Sequence, residues 1–298
     1  MRIFKNINGK LSLLHDKPFE KERYLQNLFE KNLSKITDYH FISSEFTIKN
    51  SRIDTLAFDP ENKSFVIIEY KRSQNISVID QGISYLNLML EYKADFIIEY
   101  NEKQKKNLKR SDVDWSQSKV IFISSSFTDF QIQASNFKDL PIELWTVKQF
   151  EDGIIYVSSI KKSRTSPSIN SIKNKGEIST LKELKVYSEE DHLKDKSEDI
   201  QDLYITFKNA ILNLNNDINI EPKKLYMVFK TERNIAAIHL QKKALKLWIN
   251  LVSGKLDDPK NLARDVSQTG HWGTGDYELL IEDSKNLEYI MSLVKQAL

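Results

Sequence analysis

One stretch constrains this chain more than any other: Ser51 to Lys71, reading Ser-Arg-Ile-Asp-Thr-Leu-Ala-Phe-Asp-Pro-Glu-Asn-Lys-Ser-Phe-Val-Ile-Ile-Glu-Tyr-Lys. Two runs rich in β-branched and aromatic residues, Arg52 to Phe58 and Phe65 to Lys71, flank the polar turn Asp59-Pro60-Glu61-Asn62. That pattern predicts a β-hairpin. If Phe58 pairs with Phe65, the antiparallel register sets Asp54 opposite Glu69. Side chains alternate between faces, so Glu69 and Lys71 share one, and a one-residue slip would turn Asp54 away. Two carboxylates ~5 Å apart repel by roughly 3 kcal/mol at an effective dielectric of about 20. Such a pair takes up a proton or holds a cation. Oxygen ligands suit a hard divalent ion such as Mg²⁺, and a neighbouring lysine suits the charge on a phosphate. The plainer reading is a solvated hairpin face on which Asp, Glu and Lys happen to sit.

The neighbours of this hairpin tip the balance. Arg-Ile-Asp, then Val-Ile-Ile-Glu-Tyr-Lys, then Gln81-Gly-Ile-Ser-Tyr85 on an expected helix together resemble the PD-(D/E)XK nuclease superfamily, in its NucS-type and RecB-type branches. The resemblance covers roughly Phe19 to Trp145. It departs from the superfamily in its first motif, where Ile53-Asp54 stands for the common Pro-Asp. The implied fold is α/β, a restriction-endonuclease-like mixed sheet, and the implied activity is metal-dependent hydrolysis of phosphodiester bonds.

Composition sets outer bounds. The 298 residues leave room for two ordinary domains, and 40% hydrophobic with 29% charged residues is the balance of a soluble globular protein. There is no cysteine and there are only five histidines, which argues against disulfides, thiolate metal sites and a zinc centre. The first residues lack the apolar core of a signal peptide, and no run reaches membrane-spanning length; a cytoplasmic protein is expected. A net charge of +2 says little about nucleic acid, so a DNA site must come from local clustering.

In chain order, Arg2 to Leu14 alternates around Asn8-Gly9 and predicts a hairpin. A helix is expected from about Pro18 to Ile36, with Leu25, Leu28, Phe29, Leu33 and Ile36 as its apolar stripe. Glu22 falls within about 40° of that stripe, and an acid there needs a partner or reaches water. In the superfamily the first helix offers a glutamate to the site, a place Glu22 fits. Phe41 to Ile48, carrying Glu45, predicts a strand and so a three-stranded antiparallel meander. Ile76 to Tyr92 predicts a helix with core residues Ile79, Ile83, Leu86 and Leu90; Gln81 and Tyr85, one turn apart, share another face. Phe96 to Tyr100 reads as a strand. The run Lys103-Gln-Lys-Lys-Asn-Leu-Lys-Arg110 suits a nucleic-acid backbone or a solvated surface equally. Val120 to Ser124 predicts a buried strand, Asp129 to Phe137 a helix, and Ile142 to Val147 a closing strand.

From Lys161 the texture changes to Lys, Arg, Ser, Thr, Pro and Asn with few large apolar residues, the mark of a flexible linker, with a short helix near Leu181 to Tyr187. The expected organisation is a nuclease-like domain over 1–160, a charged linker over 161–198 and a smaller α+β domain over 199–298. In the last, a helix over Leu203 to Leu214 precedes strands at Leu225 to Lys230, Ala236 to Gln241 and Leu245 to Leu251. A short helix at Leu262 to Val266, a strand at Tyr277 to Ile281 and a helix from Ser284 to Ala297 with Ser284 as its cap complete it. Gly270-His-Trp-Gly-Thr-Gly275 lacks phosphate-loop spacing and is not followed by a helix, so a tight structural turn is the expectation, with His271 and Trp272 as alternatives for stacking. The segment from about Leu203 to Leu298 resembles an uncharacterised domain family labelled predicted transport protein. No membrane or carrier feature accompanies that label, and the segment reads as a recognition or protein-interaction module.

The combined expectation is a Mg²⁺-dependent DNA endonuclease, with Mn²⁺ as the alternative ion and defence or repair as its setting. Asp54 and Glu69, with the Tyr70 carbonyl, would hold the metal; Lys71 would position water or stabilise charge; Glu22 and Gln81 would complete the catalytic set. Tyr85, Lys103, Lys105, Lys106, Lys109 and Arg110 are the candidate nucleic-acid contacts. A homodimer and a protein partner for the C-terminal domain are further expectations. The competing readings are a non-catalytic DNA-binding or assembly protein that kept the fold, and an RNA-directed nuclease.

Overall fold

The structure is a computed structural model that describes residues 2–71, 78–163, 166–168, 184–270 and 273–298. The chain divides into two units, Met1–Val186 and Tyr187–Leu298. Among the described residues no helix is long and apolar enough to cross a membrane.

The first unit opens with the hairpin of β1 (Ile3–Ile7) and β2 (Lys10–Leu14). Helix α1 follows over Glu22–Ile36, starting later than Pro18 and burying Leu25, Phe29 and Leu33, which recur every fourth residue. The meander is β3 (His40–Ile48), β4 (Ser51–Asp59) and β5 (Ser64–Lys71). Next come α2 (Val78–Glu91) and α3 (Lys93–Gln104), β6 (Lys119–Ser124), α4 (Asp129–Ser135), β7 (Ile142–Gln149) and β8 (Ile155–Ser159). Strands β3 to β8 form one six-stranded sheet in sequence order. The pairs β3–β4, β4–β5 and β7–β8 are antiparallel, and β5–β6 and β6–β7 are parallel. This is the mixed α/β sheet expected.

The central strands explain why both faces are covered. β5 is buried along all but its last residue, as a strand sandwiched between helical layers must be. Phe65 and Ile67 pack with Leu86, Met89 and Phe96 of α2 and α3 on one face. Val66, Ile68 and Tyr70 pack with Leu25, Phe29 and Leu33 of α1 on the other. Of the apolar stripe expected on α2, Leu86 and Leu90 are buried, while Ile79 and Ile83 are only partly covered; Gly82, Tyr85 and Met89 take the buried face instead.

Three expected elements are corrected. Phe96 to Tyr100 is not a strand but part of α3. Phe96 and Tyr100, one turn apart, are buried, while Ile98 is 55% exposed, a helical burial pattern that an apolar run conceals. Leu262 to Val266 is not helical and contributes only the two-residue strand Arg264–Asp265. The last helix is capped by Asn286 rather than Ser284. The short helix expected over 181–187 lies in part outside the described residues, and 184–187 are not helical.

The second unit has α5 (Glu189–Leu193) and α6 (Glu198–Leu212), then β9 (Asn219–Pro222), β10 (Met227–Lys230), β11 (Asn234–Leu240), β12 (Leu245–Ile249), β13 (Arg264–Asp265) and β14 (Tyr277–Ile281), and ends with α7 (Leu287–Val294). Its antiparallel sheet has the order β13-β14-β12-β11-β10-β9. Tyr204 and Phe207 of α6 and Ile290 and Val294 of α7 pack with Met227, Ile238 and Leu247. The glycine-rich segment serves this packing: Gly275 has φ +91, and a side chain there would run into the Ile249 carbonyl. His271 and Trp272, considered for stacking, lie outside the described residues.

A close approach in the first unit is open to test. A Cβ on Gly82 would meet Ile142 Cδ1 at 2.5 Å and Phe122 Cε2 at 3.1 Å. Gly82→Ala gains about 1 kcal/mol of helix propensity but loses about 1–3 kcal/mol to overpacking. We expect a lower urea midpoint with an unchanged slope; a midpoint equal to or above that of the native chain would show that α2 can back away from the sheet.

Candidate active site

The site is built where β4 and β5 part. Their ladder includes Phe58↔Phe65, the register on which the sequence argument depends, and runs only as far as Thr55↔Ile68. Beyond that point β4 stays with β3 through Ile53, Arg52 and Ser51, and β5 stays with β6 through Glu69, Tyr70 and Lys71. The notch between them is spanned by side chains. The Asp54 N–H donates to Glu69 Oε1 at 3.0 Å, and the Tyr70 N–H donates to Asp54 Oδ2 at 3.0 Å. Each carboxylate thus spends one oxygen on the other strand's backbone.

The remaining oxygen of Glu69 collects longer contacts. Lys71 Nζ lies 3.4 Å from Glu69 Oε2, and Gln81 Nε2 lies 3.3 Å from the same atom. Gln81 also donates to the Tyr85 hydroxyl at 3.0 Å, and that hydroxyl donates to the Arg52 carbonyl at 3.1 Å. Helical spacing stacks Gln81 over Tyr85, and the tyrosine ties α2 to β4. Tyr85 is buried, so its ring supports the glutamine and is not available as a nucleic-acid contact. Tyr70 turns its ring to the opposite face, edge-on to Phe29 with centroids 5.9 Å apart, so only its backbone carbonyl remains a candidate ligand.

Electrostatics mark the pair as strained in charge. Burial, and then the Asp54 charge, push the Glu69 carboxyl up from 4.5 to about 7. Burial also raises Asp54, against the Tyr70 N–H and Lys71, which favour its ionised form; Glu45 and Glu22 add to the rise. A buried carboxylate beside a half-buried one shifts in this direction even with one lysine at hand.

Glu22 stands at the first residue of α1, exposed, and lines a small cavity of about 90 Å³ with Pro18, Phe19, Leu25, Lys71 and Ser125. The structure sets Glu22 beside Lys71, and its charge acts on Asp54 through space. The basic run is elsewhere. α3 ends at Gln104, whose amide donates to the Phe41 carbonyl at 2.8 Å, and Phe41 pairs with Ala57. That point lies three residues, or about 10 Å, along β4 from Asp54, toward the hairpin turn. Lys103, Lys105, Lys106, Lys109 and Arg110 are exposed there, and Lys103 reaches Glu99 at 4.0 Å.

Sequence reasoning missed Gln26. It is 4% exposed, and its amide nitrogen shares two N–H groups among the Asp54 carbonyl (2.8 Å), Glu30 Oε1 (3.0 Å), Ser44 Oγ (3.1 Å) and Glu45 Oε1 (3.2 Å). A signal was present: Gln26 stands two turns before Leu33, within about 20° of it on the helix wheel.

The donor set suits a hard divalent cation. Mg²⁺ is commonly held by one or two carboxylates, with waters and substrate phosphates completing its shell, and one oxygen each of Asp54 and Glu69 is not engaged by backbone. Among the described residues no group of three or more His, Cys, Asp or Glu side chains is gathered about a common point. The protein would supply two side chains, and water or phosphate the rest.

Comparison with known proteins places the chain among relatives. An uncharacterised protein of Haemophilus influenzae is 64% identical over 300 residues, covering 100% of this chain and 99% of that protein. Residues 189–298 match a domain of unknown function, DUF5655. Among solved structures, the chain of an EndoMS-dsDNA2 complex aligns with 45% of this chain and 50% of its own length at 16% identity and a TM-score of 0.30. A repair endonuclease from Pyrococcus abyssi aligns with 43% of this chain and 48% of its own at 17% identity and a TM-score of 0.25. SfsA of Pyrococcus furiosus in complex with Ca²⁺ aligns with 53% and 79% at 14% identity and a TM-score of 0.27. The chain thus spans about half the length of the first two structures.

The raised Glu69 carboxyl makes the cation-free protein pH-sensitive in a defined direction. Its folded value, about 7, exceeds its ordinary 4.5, so the native state holds a proton that the unfolded chain releases. The stability from this group is complete below about pH 4.5 and is lost as pH rises through about 7, by an amount on the order of 3 kcal/mol. Urea unfolding in EDTA at about pH 5 and about pH 8 should show a fall that Glu69→Gln largely removes. An equal fall in both proteins would contradict the assignment.

Proposed function

The chain belongs to one family with the uncharacterised Haemophilus influenzae protein, and we propose that it is a divalent-metal-dependent nuclease hydrolysing phosphodiester bonds in DNA. The observation that carries this reading is the meeting of Asp54, Glu69, Lys71 and Gln81 at one notch between parted strands.

Asp54 and Glu69 would hold the metal, each through the oxygen not given to the opposite strand. When bound, a divalent cation lowers the pKa of a coordinated water and neutralises charge on the phosphate. The other residues act without leaving their places. Lys71, at the end of β5, presents its ammonium group beside the acid pair, where it offsets the charge that builds on the phosphoryl oxygens. Gln81 directs its amide N–H groups at Glu69 and Tyr85, which leaves its carbonyl oxygen to accept from an attacking water and hold it in line. The Tyr85 hydroxyl, tied to the Arg52 carbonyl, keeps that amide in orientation.

A second reading, a DNA-binding protein without catalysis, is favoured by one observation: no third acidic side chain joins the pair among the described residues. The two readings part on cleavage. With Mg²⁺ or Mn²⁺, single-stranded, duplex, branched and mismatched DNA should include at least one substrate that is cut. Lys71→Ala should lose about 10²–10³-fold in rate or more while unfolding as the native chain does, and Asp54→Ala should lose at least as much. A Lys71→Ala or Asp54→Ala protein with full activity would overturn the assignment. Metal-independent binding with no cleavage of any of these DNAs would favour the second reading.

A further inference from the structure

The notch is more negative than a phosphate-handling site can be on its own. Asp54 and Glu69 face it, and both Glu45 and Glu22 act on Asp54 through space. Lys71 is a single positive charge among them. α1 and β4 supply one more each by way of Glu45. By the register of Ser44↔Thr55 and Phe46↔Ile53, Glu45 stands opposite Asp54 on the outer side from Glu69. Its Oε1 accepts from Arg23 Nη1 at 2.6 Å and from Gln26 at 3.2 Å, and its Oε2 faces Arg52 Nε at 2.9 Å. One carboxylate therefore draws an arginine from α1 and an arginine from β4 to the same side of Asp54.

Stability does not account for this arrangement. The arginine side chains are 55% and 69% exposed, and ion pairs of that kind contribute little to stability. Glu45 adopts φ 56, a left-handed conformation that is unfavourable for a non-glycine residue. Residues held so against their preference cluster at functional sites. Arg52 approaches Glu45 through Nε, the inner nitrogen of its guanidinium, at 2.9 Å. A planar guanidinium suits the paired oxygens of a phosphate.

We infer that Arg23 and Arg52 grip the phosphate backbone of DNA beside the acid pair, with Glu45 as the positioning residue that sets both guanidinium groups. The inference rests on the nuclease reading above, and it moves the backbone contact from the Lys103–Arg110 run, about 10 Å along β4, to the rim of the notch. Glu45 here restrains the arginines rather than repelling DNA, and that distinction has a sign: neutralising a merely repulsive acid strengthens DNA binding, whereas neutralising a positioning acid weakens it.

The test is fluorescence anisotropy of a labelled DNA with the full chain in Ca²⁺, with intact DNA verified on a gel, across about 50 to 300 mM salt. Arg23→Gln and Arg52→Gln should each weaken binding several-fold and reduce the salt slope by about 1, with partial recovery in Arg52→Lys. Glu45→Gln should weaken binding as well. A Lys105→Gln/Lys106→Gln/Lys109→Gln triple variant should bind as the native chain does. Native-like affinity and salt slope in both arginine variants, the loss falling instead on the triple lysine variant, or tighter binding by Glu45→Gln would each overturn this inference while leaving the nuclease reading in place. No binding of DNA by the native chain would fall on the nuclease reading itself.

Discussion

Everything at the candidate site depends on the parting of two strands. β4 and β5 pair as a hairpin up to Thr55 and Ile68 and then follow different neighbours. The exchange of backbone N–H groups for carboxylate oxygens across the gap keeps the strands from closing and keeps two acids side by side. Bringing such groups together away from water is costly, and the upward shift of both carboxyls records that cost. A retained proton or a bound cation would each relieve that charge.

The helices hold the opening from either side. α1 inserts Gln26, whose amide joins the Asp54 backbone to Glu30 and to the β3 residues Ser44 and Glu45. α2 comes close enough at Gly82 to touch Phe122 and Ile142, and that approach carries Gln81 and Tyr85 to Glu69 and to the Arg52 carbonyl. A chain of contacts thus links sequence to chemistry: a glycine that permits close packing, a helix set down on the sheet, and an amide aimed at a carboxylate.

Much of this was legible before any coordinates. The turn chemistry of residues 59–62 set the register of the hairpin, and with it the relation of Asp54 to Glu69 and Lys71; the spacing of Gln81 and Tyr85 set their common face. What escaped the sequence needed either a third dimension or a departure from regularity. β3 slips register between Phe41 and Ser43, so the opposition of Glu45 to Asp54 could not be counted from strand ends, and neither could the pairing of Glu45 with Arg23 and Arg52. The basic run is a different case, since density of charge along the chain says nothing about which end of a sheet it occupies. Phe96 to Tyr100 shows the same limit at the level of secondary structure: a short apolar run is compatible with strand and helix alike, and only the alternation of buried Phe96 and Tyr100 with exposed Ile98 decides it.

If the acid pair holds a divalent cation, the protein binds one in the absence of DNA. Titration calorimetry of Mg²⁺ into the metal-free protein at about pH 8, where Glu69 is ionised, addresses it most directly. The expected result is a saturable heat that Asp54→Asn abolishes in a protein that still unfolds cooperatively. No saturable heat in the native chain, or an unchanged heat in the variant, would contradict it.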